Sequence, residues 1–425
     1  PTEFVGYDQL THDAKVIGLV RGGEKVGEVS QGDEVEVILD VTPMYAESGG
    51  QMADRGRLLM GETILNVNDV QRVGKKLWLH KATVQNGGLD LGSTVTAEVD
   101  GAWRHGARQA HSATHLIHAA IRQVLGPAAV QAGSLNKPGY LRFDFNYTDQ
   151  LTDAQLEEIA TITNQAVDAD FAVNTIETSL DHAKEMGAMA LFGESYGDTV
   201  RVVEIGGPFS VELCGGTHVE HASQIGPVAV LGESSVGSGA RRIEAYSGMD
   251  SFKFLSKEAA LASGLAAELK APTEELPDRI AQLTERLRAA EKEIENLHRQ
   301  QLLASTANLA DEAQTVGVHR VVAKQLPEGI TTGDLRTIAN DLRGKLQAED
   351  AVIVLLSQVD GKVSLAAAAT QQAVQSGVKA GELVKLIGQC VDGKGGGKPD
   401  LAQGTGANPA GIEDALRAVR ESLAE

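Results

Sequence analysis

The first hundred residues alternate apolar and polar positions in short runs that are broken by glycine or aspartate. A period of two is typical of strands that bury one face. It predicts strands at residues 16–20, 34–39, 63–67, 76–78 and 93–99. So many short, evenly spaced strands favour a small β-barrel over residues 1–100, or a sandwich. The segment 42–51 between them is a glycine-bearing loop.

After residue 100 the apolar positions recur every three to four residues, which is the period of an amphipathic helix. Residues 105–125 form one such helix, and it is expected to stop at Gly126-Pro127. Residues 153–169 form a second helix, and residues 201–205 and 228–231 are predicted strands. The mixture predicts an α+β core over residues 101–250.

Residues 276–304 carry a heptad pattern, which is typical of a coiled coil or of a helical hairpin arm. We therefore expect a helical coiled-coil linker over residues 251–310. A helix inside a bundle fits the same pattern. Apolar or small side chains fill most of the two heptad positions: Ile280, Leu287, Ile294 and Gln301 at one, and Leu283, Ala290, Leu297 and Ala304 at the other.

The last part of the chain, residues 311–425, alternates predicted strands and helices, which indicates a C-terminal α/β domain with a partly parallel sheet. The strands are at 320–323, 351–356 and 363–368, and the helices at 333–347, 371–375, 380–391 and 411–423. Taken together, the pattern predicts a multidomain α+β chain with four domains.

Composition narrows the classes of function. The net charge of −20 disfavours general coating of nucleic acid, so any contact with RNA must use local basic patches. The two cysteines, Cys214 and Cys390, are too few for a disulfide scaffold and fit a cytoplasmic protein. No apolar run reaches the roughly 18 residues of a membrane span, so no membrane partner is expected. Because the sequence begins with Pro1, we expect it to be cut from a longer chain.

Two short motifs offer metal ligands. His111 and His115 stand at i and i+4, on one face of the predicted helix, and Cys214 and His218 flank a Gly-Gly turn. Three nitrogens and one thiolate form a normal zinc set. Each pair alone is a weak signal, and buried histidines beside a free thiol fit it too. Ser112 stands where a zinc peptidase of the H-E-x-x-H type has its glutamate, which argues against a peptidase.

Four protein ligands would close a tetrahedral zinc site. Closed sites are usually structural, whereas a metal that activates water keeps one position open. The sequence leaves both roles open.

At these motifs the chain resembles the alanyl-tRNA synthetase family, from the editing domain onward. The resemblance extends over essentially the whole chain. It rests on the segments TPMYAESGGQMADRG (42–56), RQAHSATHLIHAAIRQVLG (108–126), QAGSL (131–135), LRFDF (141–145), GAMALFGESYGD (187–198), LCGGTHV (213–219), RRIEA (241–245) and GKGGGKPDLAQG (393–404).

The resemblance implies roles for single residues. It assigns zinc (one ion per chain) to His111, His115, Cys214 and His218. It makes Gln131 an editing residue that orients water or the ester. Without the resemblance, Gln131 would fit equally well as a polar residue that caps a helix or loop. It also implies an amino-acid pocket lined by Thr42, Gly49, Gly50 and Gln51. The hydroxyl of Thr42 would hydrogen-bond a serine substrate. Thr42 would equally fit as an ordinary residue at the end of a strand, with no role in binding.

The glycine-rich segment near the end of the chain is implied to bind tRNA. Its backbone N–H groups could cradle phosphates, although a flexible loop has the same composition. The residues concerned are Lys394, Gly395, Gly396, Gly397 and Lys398.

The function implied is editing: hydrolysis of the aminoacyl ester of tRNA(Ala) mischarged with serine or glycine. ATP and Mg²⁺ would serve the aminoacylation core, which would precede Pro1. A free-standing trans-editing protein is one alternative. A module for tRNA binding or oligomerisation with a structural zinc is another. The heptad-patterned helix could also pair with that of a second chain, which would give a homodimer through the C-terminal half.

Overall fold

The computed structural model describes residues 1–74, 76–189 and 197–425, which divide into two compact units, Pro1–Thr273 and Glu274–Glu425. Both units mix helices and strands, as expected for a multidomain α+β chain. Most of the signature segment 187–198, namely residues 190–196, lies outside the described residues. The division into four domains stays a prediction.

The first unit begins with a closed β-barrel. Its strands pair antiparallel in the order β2-β5-β9-β8-β7-β11, and β11 pairs again with β2, which confirms the predicted barrel. Alternate residues point inward, so that Val35, Val37 and Leu39 of β5 are buried. The strands are β1 (Glu3–Phe4), β2 (Thr11–Arg21), β3 (Glu24–Lys25), β4 (Glu28–Ser30), β5 (Glu34–Leu39), β6 (Val41–Thr42), β7 (Gly56–Met60), β8 (Thr63–Val73), β9 (Leu77–Asn86), β10 (Gly88–Asp90) and β11 (Thr94–Val99).

The rest of this unit, which we call the core, packs two small sheets against helices. The elements are α1 (Gly101–Leu125), β12 (Gln131–Lys137), β13 (Tyr140–Asn146), α2 (Asp153–Asp168), β14 (Val173–Ser179), α3 (Leu180–Glu185), β15 (Thr199–Ile205), β16 (Ser210–Leu213), β17 (Val228–Gly237), β18 (Ala240–Ser247) and α4 (Gly248–Leu269). One sheet has the order β12-β13-β18-β17 and the other β14-β15-β16. Leu116 and Ile117 of α1 pack in one apolar cluster with Phe143 of β13.

Helix α1 carries two of the predicted metal ligands. It begins four residues before the expected start because Asp100 caps it, accepting hydrogen bonds from the N–H groups of Ala102 and Trp103. It ends at Gly126, whose φ of 101° is unfavourable for residues with a side chain. The predicted stop at Gly126 is therefore confirmed.

The second unit contains a six-stranded sheet in the order β19-β20-β21-β22-β24-β23, in which only β20 and β21 pair in parallel. Its elements are α5 (Leu276–Ser305), β19 (Gln314–Val316), β20 (His319–Gln325), α6 (Thr332–Lys345), β21 (Ala351–Val359), β22 (Lys362–Ala369), α7 (Gln371–Gln375), α8 (Ala380–Cys390), β23 (Gly393–Lys398), β24 (Leu401–Gly406) and α9 (Ile412–Ala424). The first six residues of β21, 351–356, are all apolar because both faces of the strand are covered: Ile353 packs with α6, and Val354 packs with α8 and α9.

The glycine-rich segment is a strand, and the loop interpretation is wrong. It forms β23, which pairs antiparallel with β24 at the edge of the sheet. The glycines serve packing: a Cβ on Gly395 would lie 2.4 Å from Cγ1 of Val384 on α8, and one on Gly397 would lie 2.5 Å from the carbonyl oxygen of Leu401. A Cβ on Gly396 would meet nothing within 4 Å. Close approach of α8 at Gly395 and of the paired strand β24 at Gly397, not mobility, accounts for these two glycines.

Helix α5 spans the predicted heptads, and its apolar stripe faces solvent within its unit. Ile280, Leu287, Ile294 and Leu297 are 48–66% exposed, unlike residues of a helix packed inside a bundle. Among the described residues, no helix has a stretch that is both long and apolar enough to cross a membrane.

Candidate functional site

A cavity of about 600 Å³ lies where the barrel meets the core of the first unit. The barrel contributes Tyr45 and Gly49 to its wall, and the core contributes Gln131, Arg201 and the turn that follows β16. All four predicted metal ligands are at this place, and three of them line the cavity directly.

The ligand atoms of His111, His115, Cys214 and His218 all lie within 4.8 Å of one another. Cys214 Sγ is 3.4 Å from His111 Nε2 and 3.3 Å from His218 Nε2. Zinc bonds of about 2.3 Å to sulfur and 2.0 Å to nitrogen, at a tetrahedral angle, hold the two atoms about 3.5 Å apart. The spacing of the donors therefore fits a zinc ion.

Local structure explains why two distant segments meet. On α1, residues 111 and 115 lie one above the other on the same face. The turn after β16 approaches α1 so closely that a Cβ on Gly216 would lie 2.1 Å from Cε1 of His111. Arg201 Nη1 holds this turn by donating hydrogen bonds to the carbonyl oxygens of Cys214 (3.0 Å) and Gly216 (2.8 Å).

Each imidazole has a second contact that orients the ring. With Nδ1 engaged by an outer partner, Nε2 is left to face the common centre. Nδ1 of His111 hydrogen-bonds to Gln51 Oε1 at 2.8 Å, and Nδ1 of His218 hydrogen-bonds to Ser112 Oγ at 3.1 Å. Nδ1 of His115 lies 3.2 Å from Glu212 Oε1, an ion-pair distance without hydrogen-bond geometry. Outer contacts of this kind are usual around zinc-bound histidines, so they support the metal interpretation.

The charges of the cluster favour a bound cation. Burial disfavours the thiolate of Cys214, but the neighbouring His111 and His218 favour it more, so the pKa of this thiol lies well below its usual range. Burial also disfavours the Glu212 carboxylate, but His115 outweighs it and holds the pKa of Glu212 well below its usual range. Two buried anionic groups beside three imidazoles form a site that a divalent cation can neutralise.

The histidines of the cluster differ from one another in their affinity for protons. Burial alone would lower the pKa of His115, but Glu212 raises it to about 10. Burial lowers the pKa of His218 to about 3. Because zinc binds neutral imidazole, metal binding at His115 must displace a proton.

The structure brings together only some of the residues predicted for the amino-acid pocket. Gln131 and Gly49 line the cavity. Gly50 packs against Ser134, where a Cβ would be 2.2 Å from the serine Oγ. Gln51 is fully buried behind His111 rather than in the cavity wall.

Thr42 does not reach the cavity. It is fully buried inside the barrel, and its Oγ1 lies 2.7 Å from Nε2 of His80. Of the residues predicted to bind tRNA, Lys394 and Lys398 lie on the exposed edge strand β23 of the second unit.

Several residues at the site were missed by the sequence analysis. Glu212 is a buried acid that also lies 3.1 Å from His118 Nδ1. Ser112 was considered above only because it stands where a zinc peptidase has its glutamate. Its Oγ hydrogen-bonds to His218 Nδ1 and also accepts a hydrogen bond from the N–H of Val219. The sequence did carry a signal for Glu212, because it is an acidic residue within the mainly apolar run before Cys214.

Three family models match separate parts of the chain. Residues 1–103 match tRNA synthetases class II (A), residues 200–244 match the threonyl and alanyl tRNA synthetase second additional domain, and residues 318–425 match the DHHA1 domain.

Curated relatives match the whole chain. The alanine–tRNA ligase of Corynebacterium glutamicum (strain R) is 64% identical over 423 residues, covering 100% of this chain and 48% of the relative. Those of Nocardia farcinica and Mycobacterium avium (strain 104) are 57% and 54% identical with the same coverage. The C-Ala domain from Aquifex aeolicus alanyl-tRNA synthetase, a solved structure, aligns with 27% of the chain and 98% of its own at 26% identity, with a TM-score of 0.24. The chain spans about half the length of the curated relatives it matches. On these matches, the chain belongs to the alanyl-tRNA synthetase family.

Proposed function

We propose that this chain is the editing half of an alanine–tRNA ligase, and that it hydrolyses the ester of tRNA(Ala) mischarged with serine or glycine. One observation carries the proposal. A single cavity of about 600 Å³ combines the His/Cys cluster with Gln131 and several hydroxyl side chains, among them those of Thr114 and Ser134. The wall mixes these polar side chains with the apolar Val200 and Leu213, which suits an ester with a small polar side chain.

Selection against alanine follows from hydrogen bonding. A small apolar pocket rejects an analogue that differs by one small group only about 10- to 200-fold, so a second site must supply the remaining selectivity. The Ser134 hydroxyl accepts a hydrogen bond from Gln131 Nε2 and can donate its own proton to a seryl hydroxyl. An alanyl methyl would give that donor no partner, at a cost of about 1–3 kcal/mol. Ser134 takes the role predicted for Thr42, because Thr42 points into the barrel, and Thr114, whose hydroxyl donates to Asn136 Oδ1, offers only an acceptor. A glycyl group also lacks a hydroxyl, but the missing methyl leaves room for a water molecule to pair with the Ser134 hydroxyl.

The metal ligands, Gln131 and Arg201 have different roles in the proposed hydrolysis. Zinc held by the four ligands supplies a fixed positive charge at the wall of the cavity. Gln131, whose Nε2 lies 3.2 Å from Ser134 Oγ, orients the attacking water or the ester. Arg201 fixes the carbonyl groups of the ligand turn and lines the same cavity. A carboxamide is too weak a base to take the proton of water, so Gln131 acts by orientation.

Other parts of the chain have supporting roles in this proposal. The exposed apolar stripe of α5 forms a coiled coil, either within one chain or between two. Lys394 and Lys398 on the edge strand contact tRNA phosphates. The ligase reaction, with ATP and Mg²⁺, belongs to the part of the relatives that this chain does not span.

The test is deacylation of Ser-tRNA(Ala) beside Ala-tRNA(Ala) by the wild type, Cys214→Ala and Gln131→Ala. We expect fast loss of serine only with the wild type. The matched control is Cys390→Ala, which changes the chain's other cysteine. Cys390 lies in the second unit, so this variant should retain the activity. Equal, slow loss of both amino acids with every protein contradicts editing. Tight tRNA binding without deacylation would favour a binding module instead.

A further inference from the structure

Gln51 uses its whole carboxamide to join the two segments that carry the metal ligands. Its Oε1 is 2.8 Å from His111 Nδ1 and accepts from the N–H of Thr217 at 2.9 Å. Its Nε2 donates to Thr217 Oγ1 at 2.8 Å. The side chain is fully buried. One residue thus fixes a ring on α1 and the turn between Cys214 and His218.

The loop that carries Gln51 comes from the barrel, between β6 and β7, and is itself tied to the core. The N–H of Asn136 donates to the carbonyl oxygen of Gly50 at 2.7 Å, and the N–H of Met52 donates to that of Asn136 at 3.0 Å. The backbone on both sides of Gln51 is therefore paired with strand β12. Of the three outer contacts to the imidazoles, Ser112 and Glu212 come from the core, and Gln51 comes from the barrel.

We infer that Gln51 is a positioning residue through which the barrel completes the metal centre. Its Oε1 keeps Nδ1 of His111 as the donor, which leaves Nε2 for the metal, and its bonds to Thr217 hold the ligand turn against α1. This differs from a place in the amino-acid pocket, because the side chain is buried behind the imidazole. The inference rests on the proposed metal centre but not on the editing reaction.

The test compares two substitutions in the full chain. Gln51→Met keeps the length of the side chain and removes its hydrogen bonds, whereas Gln51→Glu keeps an acceptor for His111. Gln71→Met, on the same barrel but bonded to Glu47 and Asp69 instead, is the matched control. Zinc affinity is measured by competition with a chromophoric chelator, and ligand geometry by the absorption spectrum of bound cobalt.

We expect Gln51→Met to bind zinc about 10- to 100-fold more weakly than the wild type. Gln51→Glu should bind more tightly than Gln51→Met, and Gln71→Met should match the wild type. Thermal unfolding of the metal-free proteins, followed by tryptophan fluorescence, checks that the variants fold. Wild-type affinity and spectrum in Gln51→Met overturn the inference, as do equal losses in both Gln51 variants, which would indicate packing alone.

Activity separates positioning from substrate contact. Because Gln51 acts through the metal centre, saturating zinc should restore the deacylation of Ser-tRNA(Ala) by Gln51→Met, with an unchanged KM. A loss that persists at saturating zinc overturns the inference. Failure of the wild type to bind zinc would defeat the metal centre itself, and zinc binding without deacylation would defeat only the proposed reaction.

Discussion

Removing the guanidinium of Arg104 should destabilise the first unit strongly. Arg104, on α1, and Asp54, in the loop after β6, form an ion pair whose side chains are 1% and 0% exposed. Arg104 also donates to the carbonyl oxygens of Gly6 (2.5 Å) and Pro43 (2.7 Å). In Arg104→Met, a buried carboxylate loses its cation, and two backbone carbonyls lose their donors.

The magnitude follows from the burial of the pair. Breaking a buried pair by removing one partner costs about 3–5 kcal/mol, because an uncompensated charge remains. A whole domain is stable by only about 5–15 kcal/mol, so this loss is a large share. Adding Asp54→Asn removes that charge while keeping an acceptor for the N–H of Tyr45, so the double variant should recover part of the loss.

Tryptophan fluorescence in urea reports this unit selectively. Both tryptophans of the chain, Trp78 and Trp103, lie in Pro1–Thr273, and Trp103 Nε1 donates to the carbonyl oxygen of Ala53 in the same loop. We expect a lower midpoint with Arg104→Met and an intermediate one with the double variant. If Arg104→Met unfolds within about 1 kcal/mol of the wild type, the pair does not hold the loop and the reasoning fails.

Three further predictions concern pH, packing and metal. Burial lowers the pKa of His80 from 6.5 to about 4, so the unfolded state binds the proton first. Stability present above pH 6.5 should fall by about 3 kcal/mol towards pH 4, and His80→Gln should flatten that dependence in urea titrations. Gly395→Ala should destabilise the second unit by about 1–3 kcal/mol because its Cβ would clash with Val384, whereas Gly396→Ala should change it by under about 0.5 kcal/mol; circular dichroism distinguishes them. Chelation of the metal should lower the first unit's unfolding temperature, and Cys214→Ser should abolish that difference in a calorimetric scan.

Periodicity predicted the elements well because burial acts on each strand and helix locally. Residues 34–39 and 371–375 were predicted with the observed bounds. Helix α1 begins earlier than expected because Asp100, a polar cap, sets its start rather than the first apolar residue. The glycine-rich strand was misjudged because glycine composition alone does not distinguish mobility from close packing, and only the positions of α8 and β24 beside the strand decide between them.

The candidate site was predicted in part for a similar reason. Spacing placed His111 and His115 on one face, and the structure brings Cys214 and His218 to them. The direction in which a loop residue points depends on partners far along the chain. Thr42 faces His80, and Gln51 contacts Thr217, which is 166 positions away. No local pattern in segment 42–51 carries that information.

The wide separation of the proposed metal ligands has a consequence for biosynthesis. His111 and Cys214 are 103 positions apart, and the barrel strands all precede both. At about 5–20 residues per second, a ribosome makes the first histidine roughly 5–20 seconds before the thiol. During that interval the nascent chain holds a completed barrel sequence and two unoccupied imidazoles. A metal ion would therefore bind late, after the barrel that contributes Gln51 to the proposed centre has had time to form.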